Sequence, residues 1–331
     1  MRGGIDLGGT KILAVVVDDD HRVIGQARRR TPAAGGPAAV AKEMVETLRD
    51  AAASGGVPGA FEGVGVGAPG AVDAKAGTVA HSPNIPGWDA PFPLAQALED
   101  ELGSRVFLGN DVGVAVTGEA KLGAGRPYGS FLGLWWGTGV GGGLVLDGKH
   151  WVGRGAAGEL GHMVVRIGGR SEEARPLRGT VEAYAGRRAM ELRARKLHAS
   201  GTKTKLFEIM QKKGFERLSS SVWAQALEQG DKLAHELIGE AVEAIAAGVA
   251  SAVTLLDVEA IVVGGGLGSR LGGPYAERIA AAIRPQLFSP ERPPAVVVSE
   301  LGDIAGAVGA TLLVRAGELR PNQEDPETTA A

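Results

Sequence analysis

Two segments of the chain share one local pattern, and that sharing constrains the fold more than either segment alone. Near the start, Ile5-Asp6-Leu7-Gly8-Gly9-Thr10-Lys11 carries an apolar strand into Gly-Thr, and a second apolar strand, Ile12–Val17, follows. From Leu134 the pattern returns: a strand reaches Gly137-Thr138-Gly139 and another follows over Gly143–Leu146. Both second strands end in acidic turn residues, Asp18-Asp19 and Asp147-Gly148. Glycine turns of this kind let backbone N–H groups approach an anion. Two of them in matching β-hairpins predict a duplicated nucleotide-binding core with a cleft between its halves.

Length agrees with duplication, since 331 residues is long for one core. Apolar content of 44% with 22% charged residues is that of a globular chain. A net charge of −3 supplies no attraction for nucleic acid or an anionic membrane. The run Arg28-Arg29-Arg30 reads as a solvated strand end. There is no cysteine, which excludes disulfides and thiolate metal sites. Asp6 interrupts any signal-like apolar run at the N-terminus, and no stretch is expected to reach bilayer-spanning length. These features predict a soluble cytoplasmic protein without nucleic-acid or membrane partners.

With 53 glycines, motif matches need structural context. The pattern G-x-G-x-x-G occurs at Gly65–Gly70, Gly137–Gly142 and Gly153–Gly158, but none reads as strand, turn and helix with an acid about twenty residues on. Gly143–Lys149 begins like a P-loop, yet His150 replaces the required hydroxyl and Asp147-Gly148 reads as a hairpin turn. A protein-kinase glycine loop is excluded because no catalytic-loop or Asp-Phe-Gly sequence follows.

Periodicity predicts strands over Gly3–Leu7, Ile12–Val17, Val23–Arg29, Gly63–Gly67 and Val106–Leu108, with helices at Pro37–Ser54, Leu94–Leu102 and Gly113–Leu122. Val40, Met44, Val45 and Leu48 form one apolar face. The later half predicts strands at Phe131–Trp136, Gly143–Leu146, Ala260–Val263 and Ala295–Val298. Its helices are expected from Thr180 through Leu197, Asp231 to Leu256, Pro274–Pro285 and Ile304–Glu318. Domains are expected at 1–111, joined by a C-terminal helix over 304–318, and at 112–303, with a helical insert near 203–229. The tail, 320–331, is expected to be disordered.

Asp6 stands at a strand end before the glycines, and Thr10 and Lys11 add a hydroxyl and a positive charge for phosphate oxygens. Gly264-Gly265-Gly266 after Ile261–Val263 suits close approach of a nucleotide's adenosine side, though strand-to-helix turns carry glycines for packing alone. Asp111 opens a helix, where aspartate serves as a cap. It also falls between the two hairpins in sequence, where a carboxylate can accept a hydroxyl proton during phosphoryl transfer. Glu159 and His162, flanked by glycines, are hydrogen-bonding types suited to a polyol. His162 also suits a structural role or a zinc site, and Glu182 suits the first turn of a helix.

Jointly, Asp6–Lys11, Gly67-Ala68-Pro69-Gly70, Pro83-Asn84 through Gly87-Trp88, Asn110-Asp111, Gly137–Gly143, Gly158–His162, Val181-Glu182 and Gly264-Gly265-Gly266 resemble the ROK family of repressors and sugar kinases, within the actin-like ATPase and hexokinase clan. The resemblance covers about Gly3 to Val314. It implies an α/β fold of two actin-like (ribonuclease H-like) domains around an interdomain cleft, and an ATP-dependent hexose kinase, a glucokinase first of all. It implies Asp111 as general base and Gly70, Asn84, Asn110, Glu159, His162 and Glu182 as sugar-binding residues. Gly8, Gly9, Thr10, Lys11, Gly137, Thr138, Gly139, Gly264, Gly265 and Gly266 would bind ATP, and Asp6 would position Mg²⁺ indirectly. A dimer or tetramer is implied by analogy. Domain closure would exclude water, so that the sugar accepts the phosphoryl group.

Related readings within the resemblance are a kinase for N-acetylmannosamine, fructose or allose, a polyphosphate-using glucokinase, and a sugar-sensing regulator. The regulator needs a DNA-binding module before the first strand, and the first strand is expected at Gly3. The family's usual Cys-x-Cys-Gly-x-x-Gly-Cys-x-Glu, which binds zinc with a histidine, is altered here: Glu173, Arg175 and Thr180 stand at the cysteine positions. Structural zinc is therefore not expected. The loop Gly168–Gly179 is expected to be held by pairing of Glu172 or Glu173 with Arg170, Arg175 or Arg178, or by packing of Leu177 and Val181.

Overall fold

In the computed structural model, which describes residues 1–57, 59–82, 85–171 and 177–314, the chain divides into two units. One comprises Met1–Ala115 and the segment from Gly306; the other is Val116–Ala305.

The first unit opens with an antiparallel meander, β1 (Arg2–Leu7), β2 (Lys11–Val17) and β3 (Val23–Arg30). β2 is buried from Ile12 to Val17, as suits an inner strand covered on both faces, whereas β3 exposes alternate residues at the sheet edge. The helix α1 (Gly36–Ser54) buries Val40, Met44, Val45 and Leu48, the apolar face its spacing predicts. β4 (Gly63–Ala68) runs parallel to β1. A small antiparallel hairpin, β5 (Ala71–Asp73) with β6 (Thr78–Ala80), follows the turn at Gly70. After α2 (Leu94–Leu102), β7 (Val106–Asn110) pairs parallel with β4, completing the order β3-β2-β1-β4-β7.

The second unit begins within α3 (Asp111–Leu122). β8 (Phe131–Trp136), β9 (Val140–Leu146) and β10 (Lys149–Trp151) form a second antiparallel meander. Asp147 (φ 50°) and Gly148 (φ 68°) make the tight turn between β9 and β10, so the P-loop-like stretch is a hairpin. The helices α4 (Val181–Ala185), α5 (Arg187–Ala199), α6 (Leu206–Lys212), α7 (Ser220–Glu228) and α8 (Lys232–Leu256) follow. β11 (Ala260–Gly264) pairs parallel with β8; after α9 (Gly265–Ile283), β12 (Ala295–Val298) pairs parallel with β11. The order is β10-β9-β8-β11-β12. Ranked by chain position, both sheets read third, second, first, fourth, fifth, with the same strand senses. The repeated glycine hairpins therefore mark a repeat of whole-sheet topology.

The chain closes the first unit with α10 (Ala305–Thr311). A Cβ on Gly65 of β4 would run into the Ala310 carbonyl, so α10 lies directly on bare strand backbone.

Three expectations are corrected. The helix from Thr180 breaks at Gly186 (ψ 128°) into α4 and α5. α9 starts at Gly265 rather than Pro274 and breaks at Gly272 (φ 63°). Its glycines are poor helix formers, but Leu267 and Leu271, one turn apart, bury on the unit's core, and burial outweighs propensity. Finally, α8 is long and apolar enough by composition to cross a bilayer, contrary to the expectation that no stretch is. Its apolar positions, among them Leu237, Ala241, Ile245 and Val249, are instead buried in the core. The last predicted helix is α10 only as far as Thr311; residues 315–318 and the tail 320–331 lie outside the described residues.

Candidate active site

In the first unit, strand register decides which side chains share an edge. Asp6 pairs with Gly67 across β1 and β4, and Gly67 pairs with Gly109 across β4 and β7. Paired strands lie about 4.8 Å apart. Asp6 and the Gly8–Lys11 turn thus emerge at the C-terminal end of β1, and Asn110-Asp111 at that of β7, with β4 lying parallel between them. Open α/β sheets bind ligands at such ends.

Gly8 N–H donates to the Lys11 carbonyl at 2.9 Å and closes the turn. The Thr31 hydroxyl, donating at 2.6 Å, ties down the Gly8 carbonyl. Thr10 is exposed at the tip. Behind Asp6 stands Gly306 of α10, where a Cβ would come within 2.6 Å of Asp6 Cγ. A larger residue there would push that carboxylate aside. At the start of α3, Asn110 Oδ1 accepts from Gly113 N–H at 3.0 Å, and Asp111 Oδ1 accepts from Val112 N–H at 2.9 Å. The capping role therefore belongs to Asn110. Gly70 turns β4 into β5 at φ 98°, with the Ala80 carbonyl 2.5 Å from where a Cβ would stand. Backbone geometry alone accounts for that glycine. Asn84 lies outside the described residues.

In the second unit, four of the predicted segments meet. Gly137 N–H donates to the Gly139 carbonyl at 2.9 Å, closing the turn between Trp136 and Val140. Gly264 pairs with Trp135, and a Cβ on Gly265 would stand 2.7 Å from the Trp136 carbonyl oxygen, so the third glycine run lies beside this hairpin. The stretch carrying Glu159 and His162 lies on β9, where a Cβ on Gly161 would collide with the Val140 carbonyl. Glu182 comes from α4, and its Oε2 accepts from Val140 N–H at 2.6 Å. Glu159 is exposed and His162 half-buried, with Oε2 and Nε2 3.9 Å apart.

The described residues hold no cluster of three His, Cys, Asp or Glu side chains fit for a metal ion. Thr180, at one former cysteine position, caps α4 by accepting from Ala183 N–H at 3.2 Å. Glu172, Glu173 and Arg175 lie outside the described residues. Such a donor set does not fit structural zinc. Among the described residues of the loop, Arg170 has Glu240 of α8 as its partner. Nη2 stands 2.7 Å from Glu240 Oε2, out of hydrogen-bond alignment. The guanidinium also lies over the Tyr184 ring at 4.8 Å. Backbone bonds from Val165 and Arg166 to the Gly179 carbonyl, at 2.8 and 3.0 Å, complete the tie. Val181 is buried as expected, whereas Leu177 is exposed.

Two residues escaped the sequence reading. Glu119 of α3 is fully buried and accepts from Ala124 N–H (2.8 Å), the Ser299 hydroxyl (2.5 Å), Leu301 N–H (2.9 Å) and Glu300 N–H (3.2 Å). Arg187, at the start of α5, donates through Nη2 to the Thr138 hydroxyl at 2.8 Å. Neither carries a local sequence signal, because their partners come from distant elements.

The profile described as the ROK family matches residues 2–317. A glucokinase of Thermotoga maritima is 32% identical over 321 residues, covering 94% of this chain and 96% of the relative. An N-acetylgalactosamine kinase of Shewanella is 32% identical over 322 residues, covering 94% and 95%. Among solved structures, a ROK-family glucokinase from Streptomyces griseus, crystallised with glucose and AMPPNP, superposes with a TM-score of 0.81 at 33% identity, covering 94% and 98%.

Proposed function

The chain belongs to the ROK family, and from that membership we propose that it is an ATP-dependent glucokinase, transferring the γ-phosphoryl group of ATP to the 6-hydroxyl of glucose. The observation that carries the reading is the register of the first unit, which sets Asp6, the Gly8–Lys11 turn and Asp111 on one sheet edge.

In this mechanism Asp111 accepts the proton of the 6-hydroxyl as that oxygen attacks the γ-phosphate. Phosphoryl transfer has a loose transition state, so proton loss comes late and a carboxylate suffices as base. Asn110 uses its oxygen on Gly113 N–H, which orients its amide NH₂ as a donor toward the sugar. Glu159, His162 and Glu182 hydrogen-bond the sugar's hydroxyls. The Gly8–Lys11 and Gly137–Gly139 turns hold the phosphates, and Gly264-Gly265-Gly266 lies against the adenosine side. Mg²⁺ suits such a site, because it keeps several waters and takes one or two protein carboxylates beside the phosphates. Asp6, seated against Gly306, would hold it indirectly, and the ion would neutralise phosphate charge. The reading places the enzyme in the cytoplasm and, by family analogy, in a dimer or tetramer.

A second reading is an N-acetylhexosamine kinase, since the Shewanella relative is as similar in sequence as the Thermotoga glucokinase. A coupled assay of ADP release, with ATP and a panel of glucose, fructose, mannose and the N-acetylhexosamines, separates the two. Glucose is expected to give the highest kcat/KM. Preference for an N-acetylated sugar establishes the second reading, and no turnover with any sugar overturns both.

A further inference from the structure

We propose that Arg187 binds the phosphoanhydride chain of the phosphoryl donor, alongside the Gly137–Gly139 turn. The inference rests on the kinase reading above and adds a cation to it.

The position is built by the break between α4 and α5. At Gly186 a Cβ would stand 2.9 Å from the Glu182 carbonyl oxygen and 3.5 Å from Gly139 Cα, so a bare glycine lets the chain press on the hairpin. The residues on either side then grip the turn. Glu182 takes Val140 N–H, while Arg187 takes Thr138 in two ways, through its neighbour and through its side chain. Arg187 N–H donates to the Gly137 carbonyl at 3.1 Å and Arg188 N–H to the Thr138 carbonyl at 3.0 Å. The Arg187 guanidinium donates through Nη2 to the Thr138 hydroxyl at 2.8 Å, and through Nη1 to the Leu218 carbonyl at 3.0 Å.

All these acceptors are neutral. Among the described residues no carboxylate comes within ion-pair distance of Arg187, and its buried Nε has no hydrogen-bond partner. The acid whose charge acts on it, Glu191, is engaged by Arg195 at 2.6 Å and by Leu218 N–H at 3.1 Å. Burial pulls the Arg187 pKa below the ordinary arginine value; Glu191 opposes that pull and Arg217 adds to it. A guanidinium without a counterion is costly to hold in a half-buried position. Fastened to an exposed threonine at the tip of an anion-sized turn, it is matched by a polyanion that arrives there.

The test uses calorimetric binding of AMPPNP, which needs no acceptor sugar, together with steady-state kinetics. Arg187→Gln keeps an amide donor for Thr138 but removes the charge. It is expected to weaken AMPPNP binding and to raise KM for ATP about tenfold, the scale of one charge-assisted hydrogen bond. KM for glucose is expected to stay within about twofold. Kd for AMPPNP should also depend less on salt, because one charge contact is gone. Arg187→Lys should restore the wild-type salt dependence, and thermal melts of both variants check folding. Unchanged AMPPNP affinity in folded Arg187→Gln, or a loss with the wild-type salt dependence, overturns the proposal by making Arg187 only a brace for Thr138. Inorganic polyphosphate as competitor tells whether the contact serves any phosphoanhydride or ATP alone. Wild-type turnover of glucose tests the kinase reading separately.

Discussion

Glu182 Oε2 accepts a 2.6 Å hydrogen bond from the backbone N–H of Val140, the first residue after the Gly137–Gly139 turn. One carboxylate thereby fixes the Gly137–Gly139 turn while its helix packs beside the Glu159–His162 stretch. Glu182→Ala is expected to raise KM for glucose tenfold or more, as a polar site stripped of a partner does. It should raise KM for ATP as well, because Val140 N–H is left unpaired. Glu182→Gln keeps an acceptor for Val140 and should spare KM for ATP. A glucose KM unmoved in both variants removes Glu182 from the sugar site.

Asp111→Asn should keep the fold, since Asn110 caps α3 and an asparagine at 111 can still accept from Val112 N–H. Loss of the base is expected to lower kcat by about 10²–10⁴-fold. Glucose binding, measured by equilibrium titration, should hardly change. Near-normal turnover at saturating glucose leaves Asp111 a helix-end residue and nothing more.

Glu119 satisfies four donors from a fully buried position. Glu119→Ala strands all of them and is expected to destabilise the protein by about 3 kcal/mol or more. Urea denaturation measures the loss. Glu119→Gln, which keeps one oxygen acceptor, should cost less, and equal losses in the two variants contradict the account.

His150 lies on β10 opposite Val145, and burial holds its imidazole below the ordinary pKa of 6.5. The unfolded chain therefore binds a proton near that pH which the folded chain accepts only at lower pH. Stability is full above about pH 6.5 and falls as pH drops toward the folded value. His21, depressed chiefly by burial too, adds a slope of the same sign. Thermal melts between pH 5 and 7.5 should show a shallower decline for His150→Gln than for wild type.

Stripping zinc with a chelator that is then removed, followed by assay with Mg²⁺ and ATP resupplied, is expected to leave activity and melting temperature unchanged, because Arg170 ties the start of the loop to Glu240 and Tyr184 without a metal. Arg170→Ala should speed amide exchange at Val165 and Arg166, whose bonds to Gly179 that clamp supports. Stoichiometric zinc by elemental analysis, or activity regained only on adding zinc, would falsify this account.

Local pattern carried much of the architecture. The apolar runs of β1, β2, β8 and β11, and the face of α1 at Val40, Met44, Val45 and Leu48, could be read directly. The strands are continuous apolar runs buried on both faces, whereas α1 buries one helical face, and neighbouring residues alone encode both patterns. The Gly8–Lys11 and Gly137–Gly139 turns were equally legible, because a tight turn between strands demands its own residues. Where local preference and packing disagreed, packing prevailed: Gly186 divides a continuous helical pattern, and glycine-rich Gly265–Gly273 is largely helical because Leu267 and Leu271 reach the core.

By itself, then, the chain's order of residues determined the repeated strand plan and the positions of Asp6 and Asp111 at strand ends. Only the tertiary structure decided which groups meet. Glu182 with Val140, Arg187 with Thr138, Arg170 with Glu240 and Glu119 with Ser299 join residues from elements far apart in the chain, the last pair by 180 positions. Hydrogen bonds and ion pairs depend on distances of about 3 Å. Such distances arise from how whole helices and strands pack, and no local period encodes them.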